Sequence, residues 1–455
     1  MDFSYQDERF ADLQLLRYRL NGFSQLTLQQ KTLVFYLSEA ILWGRDITFD
    51  QFGKYNLRIR KMLEVIYCDA TISHDTDDFK ALEVYLKRVW FSNGIYHHYG
   101  CEKFKPAFSS EWLRARLHQV DVRRLPLKEG ETLDAFCDEL FPVIFDPDVL
   151  PKRVNKADGS DLLLTSACHF YDGVTQAEAE NFYAAQKQAQ ASSDTPPSFG
   201  LNSTLVKTAD GNIREEVWSA NGKYANAILH IIYWLEKALT MAENEQQKKV
   251  VSLLISYYRT GDLQTFNQYC IEWLQEHDAS IDFINGFIEV YGDPLGLKGS
   301  WEGLLEYIDT EATQRTQTIS RNAQWFEDHS PVDPRFRKPV VKGVSANVIC
   351  AAMLGGDEYP STAIGINLPN ADWIRAQYGS KSITISNITD AYNKASHGNG
   401  FKEEFVIDAD TLRLIDQYGD RCDDLHTDLH ECLGHGSGQL LPGVDPDALK
   451  AYGNT

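Results

Sequence analysis

Two histidines five residues apart frame the string His430-Glu431-Cys432-Leu433-Gly434-His435 near the end of the 455-residue chain. Imidazole nitrogens suit a zinc ion, and a carboxylate next to the first of them can take a proton from zinc-bound water and return it to a leaving amine. In the commoner zinc motif the histidines are four apart, roughly 400° of helix, and share a face. Five apart on a regular α-helix they diverge by roughly 140°, too far for both rings to reach one tetrahedral ion. A single wider π-type turn would bring the rings back to one side, and Gly434 would lower its steric cost. The string therefore predicts a locally widened turn with His430 and His435 as ligands of one zinc ion and Glu431 as the acid–base group.

Cys432 is a ligand type for soft metals, but two positions after His430 it points roughly 200° away and is expected in the core. His426, one turn before His430, could be a ligand, a partner of a ligand or a surface residue. His97, His98 and His169 have no partner at metal spacing and read as structural or solvent-facing. Two histidines alone leave zinc under-liganded. Glu403 and Glu404 lie before the preceding helix, with no helical register to His430.

The elements that position these residues follow from pattern. Leu425, Leu429 and Leu433 recur every four residues and form an apolar stripe that would seat the histidine-bearing helix, with Gly436 and Gly438 ending it. Asp408 or Asp410 suits its N-cap. Helical spacing over Leu13 to Asp46, Phe79 to Trp90, Asn226 to Leu239 and Val250 to Trp273 makes the first half mainly helical. Ala189 to Gly200 reads as a loop on its paired prolines. From Lys338 the texture changes. Pro339 to Gly343, Ser345 to Cys350, Ala363 to Leu368 and Ser382 to Ser386 are runs of β-formers, expected as strands of one sheet or barrel.

Composition sets the remaining bounds. At 43% apolar and 24% charged residues the chain has ample material for a core, and its length suggests two or three structural units. A formal net charge of −21 argues against a nucleic-acid partner, and no basic run interleaved with aromatics offers an exception. The eight cysteines form no C-x-x-C pair and suggest neither a zinc knuckle nor a disulfide scaffold, which fits a reducing, cytoplasmic setting. The N-terminus lacks the pattern of an export signal, and the longest apolar run, Asn347 to Gly355, is too short to span a bilayer. No membrane association is expected.

H-E-x-x-G-H followed by Gly436-Ser437-Gly438 resembles the signature of the dipeptidyl peptidase III family, and two further blocks agree. Asn285-Gly-Phe-Ile-Glu-Val-Tyr-Gly-Asp-Pro-Leu-Gly resembles the family's G-F-I-E-x-Y-x-D-P-x-G, and Gly365-Ile-Asn-Leu-Pro-Asn its G-I-N-x-P-N. The resemblance implies a zinc-dependent exopeptidase that releases dipeptides from the N-terminus of oligopeptides. Glu289 would bind the substrate's ammonium, Asn367 and Asn370 its backbone, and Tyr291 would donate to the developing oxyanion. A carboxylate, two amides and a phenol are chemically suited to those tasks. On residue type alone the asparagines equally suit turns around Pro369, Tyr291 packing, and Glu289 a solvated charge.

The resemblance also implies an α+β fold of two lobes around a wide cleft, the lower with a β-barrel core plus helices, the upper mainly helical and bearing zinc. Residues 1–309 and 350–398 would form the lower lobe, and 310–349 and 399–455 the upper. The family's third zinc ligand is a downstream glutamate in an E-E-x-R-A-[DE] motif, which does not occur before Thr455. The missing part is expected from a further segment or a second chain. Rival expectations are a zinc aminopeptidase or endopeptidase of other specificity, or a catalytically incomplete peptide-binding fragment.

Overall fold

The computed structural model describes residues 3–189, 196, 198–341, 344–360, 362–434, 437–439 and 441. The chain opens on a hairpin of β1 (Gln6–Phe10) and β2 (Leu13–Leu16) and then runs through α1 (Leu28–Gln51), α2 (Asn56–Tyr67), α3 (Asp77–Phe91), α4 (Ser110–Leu117) and α5 (Leu133–Phe145). Next come β3 (Tyr171–Asp172), α6 (Gln176–Ala189), the hairpin β4 (Ser203–Lys207) and β5 (Ile213–Val217), and helices α7 (Ala225–Leu239), α8 (Glu245–Thr260) and α9 (Leu263–Leu274). Strands β6 (Ile281–Phe287) and β7 (Trp301–Ile308), helices α10 (Thr310–Arg321) and α11 (Ala323–His329), and strands β8 (Val344–Gly356) and β9 (Gly365–Leu368) follow. The described chain finishes with α12 (Asp372–Tyr378), β10 (Ser380–Ile385), α13 (Ser386–Ser396), α14 (Phe401–Phe405) and α15 (Ala409–Leu429).

The mixed α+β composition matches the expectation, with local corrections. Leu13–Leu16 is a strand rather than the start of a helix, because Ala11 turns the chain back at a φ of 49° and lets it pair with Gln6–Phe10. The expected helix from Val250 to Trp273 is two helices. Gly261 takes a left-handed φ of 72° and closes α8 with its amide on the Tyr257 carbonyl, and Asp262 caps α9 through the amides of Gln264 and Thr265. Residues 339–341 are not strand, and most of the expected loop at Ala189 to Gly200 lies outside the described residues.

Five strands form one sheet in the order β6-β7-β8-β10-β9, antiparallel except for the parallel pair β8 and β10. Pattern alone found the last three strands and missed β6 and β7. The sheet coils until its ends face each other. Lys381 of β10 reaches Asp282 of β6 at 2.8 Å, and Asn370, just beyond β9, reaches Glu289, just beyond β6. No backbone ladder joins β6 to β9, so the expected closed barrel is not seen. Strand β9 has only four residues and runs into Pro369, which has no N–H to donate, so side chains hold the seam instead.

Helix α1 crosses this sheet closely because glycines remove the obstacles. A Cβ on Gly44 would sit 2.0 Å from the Trp301 ring, and one on Gly355 2.4 Å from the Ile41 side chain. The C-terminal end of α1 then fixes the strand entrance. The Gln51 amide donates to the Gly299 carbonyl at 3.1 Å, and its oxygen accepts from the Trp301 amide at 2.8 Å. One buried cluster covers both faces of this contact, from α1 and α7–α9 to β6, β7, β8 and β10, and a second forms among α2–α5. Gly44→Leu is expected to cost about 1–3 kcal/mol by overpacking against Trp301, read as a lower denaturation midpoint; an unchanged midpoint would refute the close approach.

Candidate functional site

Four of the singled-out residues lie on two segments that the coiled sheet brings together. Glu289 and Tyr291 follow β6, while Asn367 is in β9 and Asn370 two residues past it. The Asn370 amide donates to the Glu289 carboxylate at 3.0 Å. Arg375 of α12 donates to the Pro369 carbonyl at 2.6 Å, the Asn367 carbonyl at 3.1 Å and the Asn370 side-chain oxygen at 3.3 Å. That last bond fixes which end of the Asn370 amide faces Glu289. The Asn367 amide is turned instead onto the hydroxyls of Ser382 at 2.6 Å and Ser380 at 3.1 Å. Tyr291 is 62% exposed, its phenol reaching toward solvent beside Glu289.

The loop after Tyr291 is built on Asp293. Its fully buried carboxylate accepts from the amides of Leu295, Leu297 and Lys298 and from the Tyr171 hydroxyl at 2.9 Å. The aspartate of the Gly-Asp-Pro block thus staples the turn that returns the chain to β7. Sequence pattern did not reveal that role.

Glu289 is crowded by carboxyl groups. Burial raises its pKa above the ordinary value, opposed by the Asn370 hydrogen bond, and the Asp357 carboxylate pushes it further up. Glu302 of β7 and Glu358 are buried in the same region, each raised chiefly by burial and then by neighbouring carboxylates that include Glu289. Burying one anion beside others is costly unless protons or a cation neutralise them. The signal was present in the sequence: Glu302 and Glu306 interrupt an otherwise apolar strand, Trp301-Glu-Gly-Leu-Leu-Glu-Tyr-Ile.

Residues His430–Gly434 form a π turn at the end of α15, as the five-residue spacing requires. Asp408 caps α15 through the Thr411 amide at 2.7 Å. The turn packs on α10 and α11 and on strands β8, β9 and β10, the same end of the sheet that carries Asn367. His430 is exposed, and Cys432 is buried with Ile319, packed by Leu429 and Leu433, in the core position expected for it. Gly434 has no left-handed backbone, and a Cβ there would meet only the His430 ring at 3.9 Å. The glycine is thus required neither by backbone strain nor by close approach, since 3.9 Å is an ordinary van der Waals contact.

Two contacts brace the turn. Fully buried Asp428 accepts from Arg315 Nε at 2.6 Å, and past the turn the Gly438 amide donates to the Glu327 carboxylate at 3.1 Å. Neither partner was anticipated. His435 and the Glu431 side chain lie outside the described residues. Among the described residues no three His, Cys, Asp or Glu side chains gather at metal-binding distance, and His430 alone of the expected ligands can be placed.

The family profile of peptidase family M49 matches residues 180–451, and the chain belongs to that family. Its curated relatives include dipeptidyl peptidase 3 of Dictyostelium discoideum, 24% identical over 93% of this chain and 61% of the relative. Human dipeptidyl peptidase 3 is 23% identical over 80% of this chain and 51% of its own length. The chain therefore spans roughly half to three fifths of the relatives it matches. Among solved structures, DPP III from Caldithrix abyssi superposes with a TM-score of 0.65 at 20% identity, covering 91% of this chain and 65% of that one. The likeness establishes the fold. Neither the comparisons nor the structure supports the second chain expected from the sequence. No described helix is long and apolar enough to cross a membrane.

The carboxyl cluster predicts a pH signature. The Glu358 pKa is raised from 4.5 to about 8, so the folded chain holds a proton that the unfolded chain releases. Its destabilising contribution is absent below the unfolded value, grows as pH rises, and is complete above the folded one. Glu358→Gln should therefore raise the denaturation midpoint more at pH 9 than at pH 6; an equal change at both would show that Glu358 titrates normally.

Proposed function

We propose that this chain carries the peptide-binding and metal-binding parts of a zinc-dependent exopeptidase that releases dipeptides from the N-terminus of oligopeptides. The observation that carries the reading is the pairing of Glu289 with Asn370 inside a buried carboxyl cluster, on the sheet whose strands β8, β9 and β10 also seat the π turn. A substrate ammonium there would favour the ionised form of Glu289, whose pKa burial and the neighbouring Asp357 raise, which a neutral or acidic ligand could not do. Asn370 and Asn367 would offer their amides to the peptide backbone in exchange for their present bonds to Glu289 and to Ser380 and Ser382, and the exposed Tyr291 hydroxyl is free to turn toward a developing oxyanion.

Two extended residues span roughly 7 Å. An amine held at that distance from the reacting carbonyl selects the second peptide bond, so the clamp acts as a ruler. The donor set fits zinc, since a π turn carries residues five apart toward a common side and His430 and His435 are borderline-soft nitrogen ligands. A bound zinc ion would supply Lewis-acid polarisation of the scissile carbonyl. Glu431 would take the proton of the attacking water and pass it to the leaving amine. Contacts of Arg315 with Asp428 and Glu327 with Gly438 support residues 310–349 and 399–455 acting as one metal-bearing part.

A second reading is peptide binding without turnover, since the pair of Glu289 with Asn370 is formed in the structure while His430 alone of the expected ligands can be placed. Zinc titration and hydrolysis of a dipeptidyl naphthylamide separate the two. Turnover with an unblocked amine, its loss on acetylation, and a drop of roughly 10²–10⁴ in Glu431→Gln support the exopeptidase. Cleavage indifferent to acetylation would sink it, and tight binding without turnover would favour the second reading.

In Glu289→Gln, affinity for an unblocked dipeptide amide should fall at least tenfold. In the unmodified chain that affinity should weaken as pH drops through the raised Glu289 value, because the ammonium needs the ionised carboxylate. Calorimetry at pH 4.5 and pH 7, both below the roughly 7.7–8.0 at which an α-amino group titrates, checks this, and a pH-independent affinity would remove Glu289 from the clamp.

A further inference from the structure

Strand geometry gives the clamp a second side. Ile288 and Val290 alternate with Glu289 and Tyr291 along an extended stretch, so they face the other way. There they wall a cavity of about 730 Å³ among β6, α9 and α12, in which Leu368 and Pro369 also take part and to which Lys187, Phe199 and Leu201 add a further wall. Both segments of the clamp are thus thin partitions, with the buried carboxyl cluster on one face and this cavity on the other.

The cavity's chemistry is specific about its occupant. Phe266, Tyr269 and Trp273 of α9 and Trp373 of α12 supply aromatic faces, and Leu263, Leu295 and Leu297 add aliphatic ones. Lys187 and Asp372 add one charge of each sign to the lining, so the cavity carries no net charge, and Ser198 and two asparagines are its other polar side chains apart from the aromatic rings. Asn267 is committed to the Ser198 hydroxyl at 3.0 Å, and Asn370 to Glu289 and Arg375. A site of this volume, mostly apolar and aromatic with a few polar groups and no net charge, has the size and lining of a small-molecule pocket.

Helix α12 connects the two sides. Trp373 and Ala376 line the cavity, whereas Arg375 between them bonds the Pro369 and Asn367 carbonyls and the Asn370 side chain. A ligand packed against Trp373 and Ile288 therefore braces the segments that carry Asn370 and Glu289.

We infer that this cavity is a binding site for an uncharged aromatic or aliphatic small molecule, and that its occupancy tightens peptide binding at the clamp. The coupling rests on the clamp reading above; the cavity site does not. A ligand that orders both partitions in advance leaves less to be ordered when the peptide arrives, which is positive cooperativity.

The probe is N-phenyl-1-naphthylamine, a neutral aromatic whose fluorescence rises on burial. Saturable binding of one probe per chain is expected, abolished in Ala376→Trp and, as a second plug from the facing helix, in Leu263→Trp. With saturating probe, affinity for an unblocked dipeptide amide should rise roughly fivefold or more, and the dipeptide amide should tighten the probe by the same factor. Probe binding that survives both substitutions in folded protein would overturn the site, as would no saturable binding at all. So would gel filtration showing that the two substitutions abolish self-association instead, which would make the occupant a second copy of the chain. Equal dipeptide affinity with and without probe would overturn the coupling. If no dipeptide amide binds under any condition, the clamp reading fails with the coupling, and intact probe saturation identifies that case.

Discussion

The hydrogen bond from Asn370 to Glu289 joins the two ends of a sheet that no backbone ladder closes. A backbone seam would have satisfied its own donors and acceptors and left nothing for a ligand. Here the seam consists of side chains, Lys381 with Asp282 at one level and Asn370 with Glu289 at another. The first is a buried ion pair that is nearly neutral overall. The second is a carboxyl facing an amide, with further buried carboxyls behind it whose raised pKa values mark a site short of positive charge. The open edge of the sheet and the proposed recognition of an ammonium group therefore rest on the same seam.

The π turn, seated on strands β8, β9 and β10, obeys a comparable constraint. A widened turn gives up regular α-helical bonds, and its persistence has to come from tertiary contacts. Asp428 sits fully buried two residues before it and is held by Arg315, while Glu327 receives the chain just after it. Removing a partner from a buried charge is far more destabilising than the pair is stabilising, so such pairs define geometry more than they add stability. Bracing of this kind fixes the direction in which His430 projects.

What could be read from the sequence divides along the range of the interactions involved. The π turn was legible because spacing on a helix is a local quantity, and Cys432 could be placed by rotation alone. Asp408 as N-cap and β9 and β10 as strands are also local. Strands β6 and β7 escaped notice because both faces are buried, so their apolar runs lack the period-two alternation that marks a half-exposed strand. The break at Gly261 carried a signal, glycine followed by aspartate, that the apolar periodicity on either side obscured.

Long-range partners had no local mark at all. Arg375 is an ordinary helical arginine until the sheet coils and places three acceptors around it. Asp293 looked like part of a turn block, and only its burial beneath Tyr171 shows it to be the anchor of that turn. The closed barrel was expected from resemblance, and the short β9 ending at Pro369 explains why the backbone cannot complete it. The residue that obstructs closure is thus the neighbour of the one that makes the seam chemically useful. Pro369 ends the strand, and Asn370, released from the ladder, turns its side chain onto Glu289.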